Sequence, residues 1–139
     1  MGQIDNAILS KEWVKSAYYD LENIRYIINA DHLTHIVAFH SQQAIEKLFK
    51  ALIVKNSNNL PKTHDLLKLT QKVKDKIEIT DRKTLEELNE LYIDSRYPNS
   101  FALMPHGKPT LEDAKRYYNF ASEIFEKVAN YLGIETNFN

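Results

Sequence analysis

Hydrophobic residues recur at intervals of three and four along most of the chain, which is the spacing of amphipathic α-helices. The first helix is predicted to begin after Ser10, which acts as its N-cap, and to end near Asn29. The second is predicted from about Asp31 to about Lys55. Apolar residues spread around most of the circumference of this second helix, so we expect it to be the central and most buried element of the fold.

Three more helices are predicted in the second half of the chain. Thr63 and Thr80 are the expected N-caps of the third and fourth helices. The last helix is predicted to start at Thr110, which stands three residues before Asp113 as in a capping box. Alternation of apolar and polar residues, which is typical of strands, is scarce. We therefore expect an all-α, up-and-down bundle of four to five helices that forms a single domain over residues 1–139, with its core at about 10–132.

A long connection separates the last two predicted helices. Residues 94–109 hold three of the four prolines, and loops of this length inside a compact bundle are usually functional or disordered. Tyr97 and Phe101 favour order, because aromatic rings supply apolar surface to bury. Arg96 and His106 are the residues in this segment with candidate chemistry.

The composition narrows the range of functions. The 139 residues carry 18 Lys and Arg against 19 Asp and Glu, with the two signs mixed along the chain. Because affinity for duplex DNA depends on many cations on one face, a duplex-binding function is disfavoured. The chain has no cysteine, and its three glycines form neither a phosphate-binding GxGxxG or GxxxxGK[ST] loop nor the nucleophile elbow of a serine hydrolase.

Expectations for location and cofactors follow from what the sequence lacks. The apolar runs are too short to span a membrane, and the first residues lack the pattern of a signal peptide, so we expect a cytoplasmic protein. His32 and His35 are three residues apart, but the Glu-x-x-His pairs of di-iron bundles are missing. We therefore expect neither a metal nor another cofactor.

One carboxylate falls within an apolar stripe. On a helical projection Asp20 lies among the hydrophobic residues of the first helix, where an unpaired charge would cost several kcal/mol. We expect it to be a buried support bonded to His40, Lys47 or Arg96. The alternative is a carboxylate of the functional site itself.

A row of polar residues follows one edge of the second helix. His40, Gln43, Lys47 and Lys50 are spaced by three, four and three residues, so they share one side of the helix. Two ammonium groups, an imidazole and an amide beside apolar surface suit a phosphate, a nucleotide or an acidic strip on a partner. In the alternative interpretation the lysines extend into solvent, while His40 and Gln43 bond each other or Asp20.

Four segments, in this order and at these intervals, resemble the HEPN domain. They are Ala17–Leu21 in the first helix, Phe39–Leu52 in the second, Lys62–Leu66 at the start of the third, and Ser95–Pro98 after the fourth. The likeness covers about residues 10–132. It implies an up-and-down bundle that usually dimerises and is often encoded beside a minimal nucleotidyltransferase. Some members bind nucleotides, and others are metal-independent ribonucleases of toxin–antitoxin and defence systems.

The motif of the ribonuclease members is not present at its usual spacing. It consists of an arginine, four to six residues, and a histidine, which for Arg96 requires a histidine at position 101, 102 or 103. Those positions hold Phe101, Ala102 and Leu103, and the first histidine after Arg96 is His106. This departure favours a non-catalytic member of the family.

Three functional hypotheses follow from the resemblance. The leading one is a non-catalytic HEPN homodimer that binds a nucleotide or a minimal nucleotidyltransferase partner, with a toxin–antitoxin-like pair as one setting. The second is a metal-independent ribonuclease toxin that uses Arg96 and His106 as catalytic residues on RNA. The third is a protein-interaction module without a ligand. In the leading hypothesis the residues that bind nucleotide or phosphate are Lys47, Lys50, His64, Arg96 and Tyr97, supported by the polar residues Asp20, His40 and Gln43.

Overall fold

The computed structural model describes residues 5–95 and 108–138. Within these ranges the chain forms α-helices and one 3₁₀ turn, Asp31–Leu33, with no β-strand, which confirms the predicted all-α class. The described helices are α1 (Asn6–Ile27), α2 (Thr34–Asn56), α3 (Leu66–Val73), α4 (Arg82–Ser95) and α5 (Leu111–Leu132).

Helix α1 starts earlier than the sequence predicted. Asp5 is its N-cap, since the Asp5 carboxylate accepts a hydrogen bond from the backbone N–H of Ala7 at 2.8 Å. Ser10 lies inside the helix and is buried, and its hydroxyl donates to the carbonyl oxygen of Ala51 at 2.8 Å. The prediction that Ser10 caps the helix is therefore wrong: the same hydroxyl joins α1 to α2.

The caps of α3 and α4 also differ from the prediction. The carboxylate of Asp65 accepts from the backbone N–H groups of Leu67 and Lys68, so Asp65 is the cap of α3 in place of Thr63. The side chain of Asp81 accepts from the backbone N–H of Thr84 at 3.1 Å and takes the place of Thr80 at the start of α4. A carboxylate suits these positions because it also interacts favourably with the positive end of the helix dipole.

Both ends of α5 have defined caps. Thr110 and Asp113 form the predicted capping box, in which each side chain accepts from the backbone N–H of the other. Gly133 ends the helix with φ 66°, a left-handed conformation that glycine adopts without steric cost.

Helix α2 is central, as predicted, and packs against each of the other four described helices. Its inner residues include the fully buried Ala44, Leu48 and Phe49. Ser10 contacts Ala51, whereas Asp20, further along α1, contacts the earlier residues Lys47 and His40, so α1 and α2 run antiparallel. No described helix combines the length and the apolar character needed to cross a membrane.

The described residues on either side of positions 96–107 lie beside the first half of α2. Near the end of α4, the ring of Tyr92 stacks on Phe39 of α2 at a centroid distance of 6.2 Å. Before the start of α5, the carbonyl oxygen of Pro109 accepts a hydrogen bond from the Thr34 hydroxyl at 2.6 Å. Both contacts therefore join the flanks of this segment to the same end of the central helix.

Candidate functional site

The carboxylate of Asp20 is buried between α1 and α2 and has two partners there. Its Oδ1 lies 2.8 Å from Nδ1 of His40, and its Oδ2 accepts from Nζ of Lys47 at 2.7 Å. These are two of the three contacts expected for Asp20. The third expected partner, Arg96, lies outside the described residues. His40 and Lys47 are seven residues apart on α2 and therefore lie on the same side of this helix. One carboxylate of α1 can contact both of them.

A second buried carboxylate, Glu46, belongs to α2 and directly precedes Lys47 in the sequence. Its side chain accepts from Nζ of Lys50 at 2.8 Å and from Nε2 of Gln42 at 3.2 Å. Nδ1 of His64, from the turn before α3, lies 3.0 Å from Oε2 and 3.2 Å from Oε1. Glu46 is only 5% exposed, so its carboxylate forms its hydrogen bonds with groups of the protein and not with solvent.

Sequence reasoning missed Glu46 as a site residue, although a signal was present. Gln42, Glu46 and Lys50 are four residues apart on a helix that is otherwise strongly apolar, and such residues lie one above another on a helix surface. A polar row of this kind inside a buried helix predicts an internal hydrogen-bond network.

Lys50, which was expected to contact phosphate, lies in a buried and paired environment. Lys50 is 8% exposed, its ammonium group is paired with Glu46, and the same group lies 5.5 Å from the ring centroid of Trp13. A buried cation that already has a counter-charge is not presented to a ligand at the surface. Lys47 is less buried, but its ammonium group is paired with Asp20. Neither lysine extends freely into solvent as the alternative expected, but His40 bonds Asp20 as the same alternative expected.

The two histidines are oriented in the same way. Each uses Nδ1 to bond a buried carboxylate that also holds a lysine. An ionised carboxylate only accepts hydrogen bonds, so the hydrogen of each neutral imidazole is assigned to Nδ1 from this network. Nε2, on the far side of each ring, is then an acceptor. His64 has a side chain that is 59% exposed, and its ring has no other hydrogen-bond partner among the described residues.

Aromatic rings connect the two histidines. Phe39 lies 5.5 Å from His40 and 6.2 Å from Tyr92, and Tyr92 lies 5.6 Å from His64, all measured between ring centroids. Phe39 is 39% exposed although it is large and apolar. We call the surface formed by Phe39, His40, His64 and Tyr92 the histidine face.

Of the remaining predicted site residues, Gln43 is described by the structure and three others are not. Gln43 donates to the side-chain oxygen of Gln42 at 2.7 Å, so it does not bond His40 or Asp20. Arg96, Tyr97 and His106 lie outside the described residues.

A separate polar cluster lies between α4 and α5 and is internally paired. The guanidinium group of Arg116 donates to Glu87 at 2.7 Å, to Thr84 at 2.8 Å and to Asp113 at 3.3 Å. Burial acts to lower the pKa of Arg116, but the hydrogen bonds to Glu87 and Asp113 outweigh it, so the pKa is raised. Burial and the adjacent Glu87 raise the pKa of Tyr117. These groups satisfy one another, so we assign them a structural role.

The fold and the site define a class of helical bundle in which buried carboxylates orient histidines beside aromatic rings. The sequence profile of the HEPN domain matches residues 10–131, and the chain belongs to this family. A relative from Methanocaldococcus jannaschii, named "Putative toxin MJ1304", is 26% identical over 139 residues, which cover 91% of this chain and 90% of the relative. No solved structure matches the chain significantly. The family resemblance drawn from the four sequence segments is thus confirmed.

Proposed function

We propose that this HEPN protein is the toxin-like member of a two-protein pair and that its histidine face binds a nucleotide or an RNA strand. The observation that carries the proposal is the exposed imidazole of His64, held by the buried carboxylate of Glu46 beside the ring of Tyr92. The name of the archaeal relative supports the toxin-like part.

The energetics of the two carboxylates support a binding role for this face. Moving a carboxylate out of water costs several kcal/mol, and a buried ion pair usually returns little more than that cost. The chain nevertheless buries both Asp20 and Glu46 and gives each a lysine and a histidine. Such an arrangement holds an imidazole in one tautomer and one orientation, as functional histidines require.

Residues of the 96–107 segment belong to the same proposal. Arg96 follows directly after α4 in sequence, and α4 carries Tyr92 of the histidine face. We propose that Arg96 adds a cation for phosphate and that Tyr97 adds a ring for stacking. We also keep the homodimer and the minimal nucleotidyltransferase partner as proposals, which rest on the resemblance to the family.

Ligand binding is tested by the melting temperature of the purified protein with ATP, GTP, their diphosphates and short RNAs. A ligand at about 100 times its dissociation constant adds about 2.7 kcal/mol of stability, a rise of several degrees in a domain of this size. We expect the shift to be lost in His64→Ala and kept in His32→Ala, a second exposed histidine. If no ligand shifts the wild-type protein, the binding proposal is refuted.

The second candidate is the ribonuclease toxin, favoured by the name of the relative. In this candidate Arg96 and His106 carry out metal-independent cleavage of RNA. Expression in a bacterial host tests it: growth arrest that disappears in both Arg96→Ala and His106→Ala supports cleavage. Growth arrest that persists in both variants removes these residues from the mechanism. Co-purification with the product of a neighbouring nucleotidyltransferase gene tests the proposed partner.

A further inference from the structure

We infer that His64 is a site of covalent phosphorylation, at which Nε2 of the imidazole accepts a phosphoryl group from a small donor of the phosphoramidate or acyl phosphate class. The product is an N-phosphorylated histidine at the surface of the bundle. This inference goes beyond the proposed function, because the reaction involves no nucleotide and no stacking on an aromatic ring.

The nitrogen that reacts is the one that the fold leaves without a partner. Nδ1 of His64 lies 3.0 Å from Oε2 of Glu46, and the ammonium group of Lys50, 2.8 Å from the same carboxylate, keeps it ionised. Nδ1 therefore carries the hydrogen of the neutral ring, and Nε2 keeps an unshared electron pair. Glu46 is buried, whereas the side chain of His64 is 59% exposed, so the accessible edge of the ring is the one that points away from Glu46 and carries Nε2.

The buried carboxylate also favours the reaction itself. When Nε2 attacks a phosphorus atom, the imidazole ring becomes positively charged, and a carboxylate bonded to the other ring nitrogen stabilises that charge. Gln42 donates to the backbone carbonyl oxygen of His64 at 3.4 Å, so the backbone of the residue is held to α2 as well as its ring. The nucleophile is thus oriented before a donor arrives, which lowers the entropic part of the barrier.

The step is a transfer of the phosphoryl group without oxidation or reduction. With phosphoramidate, the electron pair of Nε2 forms the new N–P bond, the P–N bond of the donor breaks, and its electron pair leaves with ammonia. Nδ1 of His64 keeps its hydrogen, so the product ring is a cation that faces the carboxylate of Glu46. With an acyl phosphate, the bond between phosphorus and the bridging oxygen breaks, and a carboxylate leaves in place of ammonia.

The surroundings of His64 suit an anionic product. A phosphoryl group adds about two negative charges. Lys62 and Lys68, two residues before and four residues after His64, are exposed and form no ion pair within the part of the chain that the structure describes. The carboxylate between them in sequence, Asp65, accepts from backbone N–H groups at the start of α3. It is therefore committed to capping that helix, and both lysines are available to the new group.

Two other histidines each lack one of the features that His64 combines. His40 has Nδ1 bonded to a buried carboxylate, that of Asp20, but its side chain is only 23% exposed. His32 is exposed, but no carboxylate bonds its ring among the described residues. His32 therefore gives the reactivity of an accessible histidine without the orienting carboxylate, measured in the same molecule.

The experiment treats the full chain with phosphoramidate at about pH 8, where an ordinary histidine side chain is neutral. Mass spectrometry of the intact chain follows the uptake of phosphoryl groups, and fragmentation assigns them among the five histidines. Loss of the group in acid identifies the P–N bond. We expect the first phosphoryl group on His64, at a rate about ten times that of His32, which is the lower end of what an orienting carboxylate contributes to histidine function.

Three controls connect the rate to the fold. His64→Gln is expected to abolish the fast phase, while His32→Gln leaves it unchanged. In concentrated urea the chain unfolds and Glu46 no longer holds the ring, so we expect His64 and His32 to react at similar rates. This comparison needs no variant and therefore does not depend on the stability of one.

The outcomes decide the inference separately from the proposed function. Equal rates for His64 and His32 in the folded protein overturn it. A preference for His64 that persists in urea also overturns it, because the cause is then the neighbouring sequence and not the buried carboxylate. A protein that binds a nucleotide but whose His64 does not react faster than His32 refutes this inference alone, and a phosphorylated His64 in a protein that binds no nucleotide refutes the binding proposal alone.

Discussion

Replacement of Glu46 by glutamine is expected to destabilise the fold strongly, although the two side chains have nearly the same shape. The amide oxygen still accepts one hydrogen bond, but the ammonium group of Lys50 loses its counter-charge in a place where water does not reach it easily. Removal of one partner of a buried pair costs about 3–5 kcal/mol. The side chain of Lys50 is 11% exposed and lies over Trp13, so we expect about 3 kcal/mol.

Urea unfolding of wild-type and Glu46→Gln protein measures this difference. In a domain of this size the same loss lowers the melting temperature by roughly 10 °C. Glu22→Gln is the matched control, because its ion pair with Arg25 is 2.8 Å long but exposed, with 64% of the Arg25 side chain accessible. We expect that control to cost less than about 0.5 kcal/mol. If Glu46→Gln costs no more than Glu22→Gln, the carboxylate is not the charge partner that the structure assigns to it.

Three further predictions concern other parts of the fold. Asp20→Asn is expected to lower both the melting temperature and nucleotide affinity, because Lys47 loses its counter-charge and His40 its charged acceptor; an unchanged variant refutes the supporting role of Asp20. Burial lowers the pKa of His35 from 6.5, so the unfolded chain binds the proton first and the free energy of unfolding falls as the pH drops below 6.5. Urea unfolding between about pH 7.5 and about pH 5.5 is expected to give a smaller decrease for His35→Gln, and an equal decrease would contradict this assignment. Gly133→Ala is expected to cost about 1 kcal/mol in thermal unfolding, from backbone strain alone, since nothing lies within 4 Å of an added Cβ and φ is 66°.

The sequence predicted which segments form helices more accurately than it predicted the residue at which each helix begins. The periodicity of the apolar residues indicates which face of a helix is buried. It therefore predicted both the central position of α2 and the presence of the last helix. The caps of α1, α3 and α4 were predicted at Ser10, Thr63 and Thr80, whereas the capping side chains belong to Asp5, Asp65 and Asp81. Ser, Thr and Asp all serve as N-caps, and a hydroxyl such as that of Ser10 also finds a partner on another helix, which a local pattern does not reveal.

The candidate site was predicted in part for a similar reason. Asp20 stood out because a charge interrupted an apolar stripe, and two of its expected partners are present. Lys50 was assigned to a ligand because the sequence shows its charge but not the carboxylate that neutralises it in the fold. The proximity of His64 to Glu46 joins residues 18 apart in the chain, across a turn whose path periodicity does not define.

The stability cost and the positioning role of Glu46 are separable, and a double variant separates them. In Glu46→Gln/Lys50→Met the unpaired cation is replaced by an apolar side chain of similar length, so we expect stability to return to within about 1 kcal/mol of wild type. The ring of His64 then faces a neutral amide, which holds the Nδ1–H form less firmly than a carboxylate does. We expect the double variant to unfold in urea like the wild-type protein but to lose the rise in melting temperature that a bound nucleotide or RNA produces. A stable double variant that keeps this rise would mean that the ion pair serves the core and that His64 is oriented by Gln42 and the backbone alone.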